Sequence, residues 1–328
     1  MNRGQLQINQ LLFKDLPLFS QQCADGKLKP ILILGSRQVS PKRIQQLAKQ
    51  LITKRPVVWG CLTEKYIQGL ENSPQFQTLS LSSLNQALTS LQKDWQPQLP
   101  SSHSITILPY SQTDTCKLIK SCKWSGIIAV YGSWHRAFHY REEYKIIKQL
   151  NLTHKLVSGF VNEKEAFDYF EQIKPQLMSL DNLVNKKFSD KQLLELAQQA
   201  SLNSFDYSFQ TGAVLAKDQQ FLLSAHNQVM PYETYMLHKG ASKEKYLTPP
   251  QDLNYFDTNH AEVELIIQAL NKKLDLTGCS LYINLLPCPI CARMLARTTI
   301  KEVVYQLDHS SGYGEKVLKK VGIEVRKV

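Results

Sequence analysis

A chain that carries His260-Ala261-Glu262 and, 25 residues on, Pro287-Cys288-Pro289-Ile290-Cys291 is constrained to bring two distant helix starts together. His260, Cys288 and Cys291 are zinc-type ligands. Zn²⁺ favours tetrahedral N/S ligation, and a catalytic site leaves one of its four positions to water. Cys288 and Cys291 stand at i and i+3, so on a helix they point the same way. Pro289 suits the first turn of that helix, where its missing N–H costs nothing. A helix N-terminus also favours negative charge and hence ionised thiols. Ser280 to Leu286 reads as a strand leading into this helix, which runs on through Ala292 to Thr298. His260 opens a second helical run, Ala261 to Asn271, after the polar Asp257-Thr258-Asn259. At a loose helix start, Glu262 can reach under a metal that His260 holds.

A lone Cys-x-x-Cys is also compatible with a redox pair or with half of a structural zinc site. A structural site wants a fourth ligand. The chain has no second Cys-x-x-Cys, and Cys279 lies at the far end of the preceding strand. The two motifs in this order therefore favour a catalytic metal.

At 328 residues the chain is long enough for about two domains. No stretch approaches the ~18–20 apolar residues of a membrane span, and Met1 to Gln5 lacks the apolar core of a signal peptide. The seven cysteines are scattered and odd in number. They form no disulfide framework, and a thiolate metal site suits a reducing compartment, so the expected location is cytoplasmic.

The net charge of +11 is unevenly placed. Residues 1–178 hold 22 Lys and Arg against 12 Asp and Glu, whereas residues 179–328 hold 17 against 16. A basic module suggests an anionic ligand, a nucleotide or a nucleic acid, and equally fits a solvated surface that aids solubility.

Residues 30–172 alternate short apolar runs with amphipathic ones. Candidate strands are 31–35, 56–60, 105–108, 126–131 and 156–160; candidate helices are 41–54, 64–71, 83–94, 113–122, 136–150 and 163–172. This pattern implies a parallel sheet covered on both faces, a Rossmann-like or flavodoxin-like α/β module. Gly35-Ser36-Arg37 and Gly132-Ser133 follow two of the strands, where such sheets bind ligands. The chain has neither a phosphate-cradling G-x-x-x-x-G-K-[ST] nor a G-x-G-x-x-G, so these turns define no kinase or dinucleotide site. The cluster from Trp134 to Arg141 fits base stacking or, as readily, a helix with Phe138 buried. Residues 174–188 read as the connection between modules. Beyond them come helix 190–201, strands 211–216 and 220–226, a long loop 228–259, and a tail of strand 302–306, helix 314–320 and strand 322–327.

Residues 188–328 resemble the zinc-dependent cytidine and deoxycytidylate deaminase superfamily, most closely the dCMP deaminase type. The resemblance rests on Thr211-Gly212-Ala213-Val214, Ala225-His226-Asn227, His260-Ala261-Glu262 and Pro287-Cys288-Pro289-Ile290-Cys291, and on the element order. It implies a mixed five-stranded sheet with helices on both faces, in a domain over 187–328; the Rossmann-like module read from the strand and helix pattern spans 1–178. It implies that His260, Cys288 and Cys291 bind Zn²⁺ and that Glu262 shuttles protons. It further implies that Asn227 holds the sugar, that Ala261 bonds the base through its backbone, and that Ala213 belongs to the substrate site. The family's usual Asn two residues after the Glu is Glu264 here, and its Gly-Tyr-Asn-Gly is Ala225-His226-Asn227-Gln228.

The expected activity is hydrolytic deamination of the cytosine of a free nucleotide, dCMP to dUMP and ammonia. Lys239, Lys243 and Lys245 would meet the 5′-phosphate, unless they form a solvated charged loop. The alternatives are deamination of a base within tRNA or single-stranded nucleic acid, and a non-catalytic nucleotide sensor. An intact Glu262 speaks against the sensor. A near-neutral catalytic half speaks against a strand channel, which would be basic and aromatic. The expected partners are a nucleotide substrate and a second copy of the chain in a homo-oligomer, with no membrane.

Overall fold

The computed structural model describes residues 3–25, 29–100, 102–245 and 257–328, and only the backbone of Arg3, Gly4, Lys243 and Lys245. The chain forms two units. Unit 1 is Met1–Phe170 with Thr234–Tyr255, and unit 2 is Glu171–Glu233 with Phe256–Val328. The sequence places 234–255 with the second domain, whereas the structure groups it with the first. Leu237 is buried with Phe160 and Ala166, and its carbonyl accepts the Phe160 N–H at 3.3 Å.

Unit 1 holds strands β1 (Gln7–Gln10), β2 (Ile31–Leu34), β3 (Val57–Leu62), β4 (Ser104–Tyr110), β5 (Gly126–Val130) and β6 (His154–Val157). They form one sheet in the order β1-β4-β3-β2-β5-β6, and every pairing is parallel. Parallel strands buried on both faces read as continuous apolar runs, and Ile31-Leu32-Ile33-Leu34 is one. Helices α1 (Leu16–Asp25), α2 (Pro41–Ile52), α3 (Leu81–Asp94), α4 (Thr115–Ser121) and α5 (Glu142–Gln149) cover the sheet. Ile44 and Leu47 of α2 and Leu84 and Leu88 of α3 pack on one face with Ile33, Trp59 and Ile105. Leu118 of α4, Ile146 and Ile147 of α5 and Leu16 of α1 pack on the other with Leu32, Val58 and Leu108. A further helix, α6 (Glu163–Ile173), follows β6.

The expected helix over 64–71 is absent. Gly69 sits at φ +86°, and the Glu64 carboxylate is tied to the next loop, accepting from Ser111 Oγ at 2.5 Å and Gln112 N at 3.0 Å. Helix α5 starts at Glu142 rather than 136, because Arg136 adopts φ +70° and residues 138–140 form a 3₁₀ turn.

Unit 2 holds α7 (Asp190–Ser201), β7 (Gly212–Lys217), β8 (Gln220–His226), α10 (Ala261–Asn271), β9 (Ser280–Leu285), α11 (Pro289–Leu295), β10 (Glu302–Leu307), α12 (Tyr313–Lys320) and β11 (Glu324–Lys327); α8 (Tyr235–Lys239) and α9 (Ser242–Lys245) fall in unit 1. The five-stranded sheet runs β8-β7-β9-β10-β11. It is mixed: β7 is antiparallel to both neighbours, while β9, β10 and β11 are parallel. Helix α7 packs on one face through Leu193, Ala197 and Ala200, with Val214, Tyr282 and Val304. Helices α10, α11 and α12 pack on the other through Leu265, Leu295 and Leu318. Among the described residues no helix is long and apolar enough to cross a membrane.

Candidate metal centre and active site

Two helix starts in unit 2 converge. His260 is the residue before α10, with extended backbone (φ −72°, ψ 155°) and no capping bond from its side chain. Cys288 is the residue before α11, with Pro289 in the first turn and its Sγ accepting the Cys291 N–H at 3.4 Å. His260 Nδ1 lies 3.5 Å from Cys288 Sγ and 3.4 Å from Cys291 Sγ. Zn–S bonds of about 2.3 Å and Zn–N bonds of about 2.0–2.1 Å at tetrahedral angles place N and S ligands about 3.5 Å apart. The donor set and its spacing therefore fit zinc. The ligand atoms of all three residues lie within 4.8 Å of one another, and no fourth His, Cys, Asp or Glu joins them among the described residues. Cys279, the candidate fourth ligand, is buried where its thiol donates to the Asp275 carbonyl.

The electrostatics match the geometry. In the absence of a cation the Cys288 thiol is held down at about 3, by hydrogen bonding from Cys291 and from His260. Cys291, 2% exposed, is pushed up because it donates to Cys288 and is buried. His260 is raised by its hydrogen bond to Cys288. Glu262, 3% exposed on the first turn of α10, is pushed up to about 7 by burial. That is the range in which a carboxyl can both take and give a proton near neutral pH.

The remaining expected residues fall in several places. Ala261 opens α10 and is fully buried. Ala213 is fully buried in β7, within the same apolar cluster as Ala261. Asn227 is buried, and its amide is already engaged: Oδ1 accepts Thr211 N at 2.8 Å, and Nδ2 donates to the Phe209 carbonyl at 2.8 Å and Asp206 Oδ2 at 3.4 Å. It clamps the turn 206–211. Lys239 is exposed at the end of α8, in unit 1. The side chains of Lys243 and Lys245 lie outside the described residues.

Two further groups, Asp206 and Asn284, carry no signal in the sequence, and a third, Glu264, shows there only as a departure from the family's usual Asn. Asp206 accepts from Thr258 Oγ1 at 3.1 Å and Ser208 N at 2.7 Å, and its charge helps raise His260. It stands in an aperiodic loop. Asn284, at the end of β9, accepts Gly212 N at 3.0 Å and donates to the Gln210 carbonyl at 3.0 Å. Glu264 is buried and accepts from Asn259 Nδ2 at 2.9 Å, which ties the residue before His260 to α10.

A domain with this sheet, this helix order and a His-Cys-Cys cluster beside a buried carboxylate has the architecture of a hydrolytic deaminase. Residues 187–307 match the model of the cytidine and deoxycytidylate deaminase zinc-binding region. A relative named as an uncharacterized deaminase in the luxG 3′ region of Aliivibrio fischeri is 30% identical over 144 residues, spanning 41% of this chain and 90% of that protein. The deoxycytidylate deaminase of Enterobacteria phage T4 is 26% identical over 130 residues, spanning 38% of this chain and 65% of that one. Among solved structures, the dCMP deaminase of cyanophage S-TIM5 in complex with dCMP and dUMP aligns over 42% of this chain and 95% of its own, at 23% identity and a TM-score of 0.35. The chain belongs, through its C-terminal half, to the cytidine and deoxycytidylate deaminase family.

Proposed function

We propose that unit 2 is a zinc-dependent hydrolase that removes the exocyclic amino group of cytosine in a free nucleotide, dCMP first among them. The observation that carries this reading is the 3.4–3.5 Å spacing of His260 and the two cysteines beside buried Glu262. His260, Cys288 and Cys291 would hold the metal. Bound zinc supplies the Lewis acidity that activates a water at neutral pH.

The chain's own residues then account for proton movement and binding. Glu262 accepts a proton from the attacking water and hands it to ring N3, which makes C4 electrophilic. The water oxygen bonds to C4. The proton left on that oxygen passes through Glu262 to the amino nitrogen, the C4–N bond breaks, C4 keeps the oxygen as a carbonyl, and ammonia leaves. A positioned acid–base group of this kind contributes typically ~10²–10⁴-fold. The backbone of Ala261, on the first turn of α10, would fix the base. The clamp of Asn227 and Asp206 shapes the adjoining wall rather than offering the Asn227 amide freely. The near balance of 17 basic and 16 acidic residues over 179–328 supports a mononucleotide rather than a strand.

Ammonia release from dCMP, deoxycytidine, tRNA and a deoxyoligonucleotide by the zinc-loaded full chain tests this. Release from dCMP above all others is expected. Release confined to tRNA or oligonucleotide would transfer the activity to nucleic acid, and release from none would overturn it.

A further inference from the structure

The order β1-β4-β3-β2-β5-β6 of unit 1 has a switch point between β2 and β5, where the chain turns from building one side of the sheet to building the other. Ligands of open α/β sheets bind outside the carboxyl ends of the strands around such a point. Here the loops after β2 and β5 are joined. Ser36 Oγ donates to the Ser133 carbonyl, and Arg37 N donates to Ser133 Oγ at 3.3 Å. Gly35 allows this approach, since a Cβ there would lie 2.6 Å from Val130 Cγ2.

Beside this joint a narrow slot opens, bounded by Ser36, Ser133, Gln68, Gln112, Arg141 and Glu143. It holds only about 20 Å³, room for one hydroxyl or one water. Gln68 and Gln112 also wall a larger cavity of about 360 Å³, with Tyr66, Lys65, Glu64 and Glu71. That is the size of a small-molecule site.

The larger cavity is pre-shaped. Gln112 Nε2 donates to the Tyr66 carbonyl at 2.8 Å, Gln112 Oε1 accepts Gln68 N at 2.8 Å, and Glu64 Oε1 accepts Gln112 N at 3.0 Å. The loops after β3 and β4 are thereby locked together. The Gln68 side-chain amide and the Tyr66 hydroxyl make no hydrogen bond among the described residues, and the Tyr66 ring has the Lys65 ammonium 5.3 Å from its centroid. Glu71 accepts Gly69 N at 2.8 Å through Oε1.

Charge decides what such a cavity takes. Across slot and cavity, Lys65 and Arg141 face Glu64, Glu71 and Glu143. Arg141 is already paired with Glu143 at 3.3 Å. The balance is one negative charge in the middle of a module whose residues 1–178 are strongly basic. Carboxylates accept hydrogen bonds from sugar hydroxyls and repel phosphate. We propose that unit 1 binds a neutral, hydroxyl-rich ring compound, a nucleoside or a free sugar, with the ring against Tyr66, hydroxyls on Gln68 and Glu71, and one polar group reaching the Ser133 slot. The phosphate ligand suggested by the overall charge of this half does not match the cavity.

Calorimetric titration of the full chain with adenosine, D-ribose and AMP tests the site. Adenosine or ribose is expected to saturate one site per chain, and AMP to bind that site at least ~10-fold more weakly, since its phosphate adds about two like charges to an acidic cavity. Affinity for adenosine without ribose identifies a nucleoside site, and affinity for both a sugar site. Tyr66→Ala and Gln68→Ala should each weaken this binding ~10-fold or more, while Glu262→Gln, in unit 2, leaves it unchanged. Gln68 is exposed, so its variant keeps the fold if Tyr66→Ala does not. No saturation by adenosine or ribose at millimolar concentration, binding that survives both unit 1 substitutions, or AMP as the tighter ligand of the site would each overturn the proposal.

Discussion

Ser40 and Ser80 in unit 1, and His260 and Cys288 in unit 2, all occupy the position just before a helix. The serines behave as caps: Ser40 Oγ accepts Arg43 N at 3.1 Å and Ser80 Oγ accepts Ser83 N at 3.1 Å. Each satisfies one orphan N–H, and removing such a cap costs about 1 kcal/mol. In unit 2 the same position carries a histidine with no capping bond and a thiol that accepts the Cys291 N–H at 3.4 Å yet keeps lone pairs that a cation could take. Both units are sheets between helical layers with polar groups at strand ends. The difference is that the helix starts of α2 and α3 in unit 1 serve capping alone, whereas in unit 2 His260 gives up capping and the Cys288 thiol caps α11 while also facing His260 Nδ1 at 3.5 Å.

Cys288→Ser separates the two uses of that position most strongly. Serine is a good cap and a poor zinc ligand. Elemental analysis should fall from one zinc per chain to near none, turnover should vanish, and the helicity of α11 should remain. Retention of zinc and activity would break the assignment of Cys288. Glu262→Gln comes next, because on the proposed mechanism Glu262 moves protons and is no ligand. Turnover should drop ~10²–10⁴-fold with one zinc still bound, and loss of the metal in that variant would mean that the carboxylate has been misassigned.

A third substitution asks whether the units are as separate as their cores suggest. A Cβ on Gly212 would stand 2.0 Å from the Ala197 carbonyl oxygen and 2.4 Å from Ser201 N, backbone atoms of α7 that cannot yield. Gly212→Ala should destabilise unit 2 by about 3 kcal/mol. The four tryptophans, Trp59, Trp95, Trp124 and Trp134, all lie in unit 1. Their emission in a urea titration should hold its midpoint while the far-ultraviolet circular dichroism gains an earlier transition. A common shift would show one cooperative block instead of two. The smallest effect is expected at Arg326, which donates to Asp190 Oδ2 and Glu302 Oε1 at 2.6 Å each but is more than a third exposed. Arg326→Ala should cost about 0.5–1 kcal/mol in the same titration.

What the sequence discloses follows from how local the cause is. Helix α7 and helix α10 can be read to the residue, because Ser189 and His260 mark their starts and an apolar period carries them. Five of the six parallel strands of unit 1 are legible as apolar runs. Strand β1, Gln-Ile-Asn-Gln, is an edge strand with little apolar signal. The helix expected over 64–71 fails for a non-local reason: Glu64 bonds a loop more than 40 residues away. The convergence of His260, Cys288 and Cys291 is legible because two short motifs fix it. Asp206 and Asn284 are not, since their importance lies only in which distant backbone groups they hold. The charge of residues 1–178 suggests an anion site, but a sum over a surface says nothing about the few groups that line one cavity.

The grouping of Thr234–Tyr255 with unit 1 has a consequence for synthesis of the chain. The six strands of that unit are complete at Val157, yet Leu237, which closes over Phe160 and Ala166, lies 80 residues further on. At translation rates of about 5–20 residues per second, that is roughly 4–16 s during which this apolar patch has no cover. The first half of unit 2 emerges in the same interval, before its own sheet can close. The N-terminal module cannot close before residues 171–233 of the domain behind it have been made, and a ribosome pausing between 160 and 237 would hold both halves incomplete.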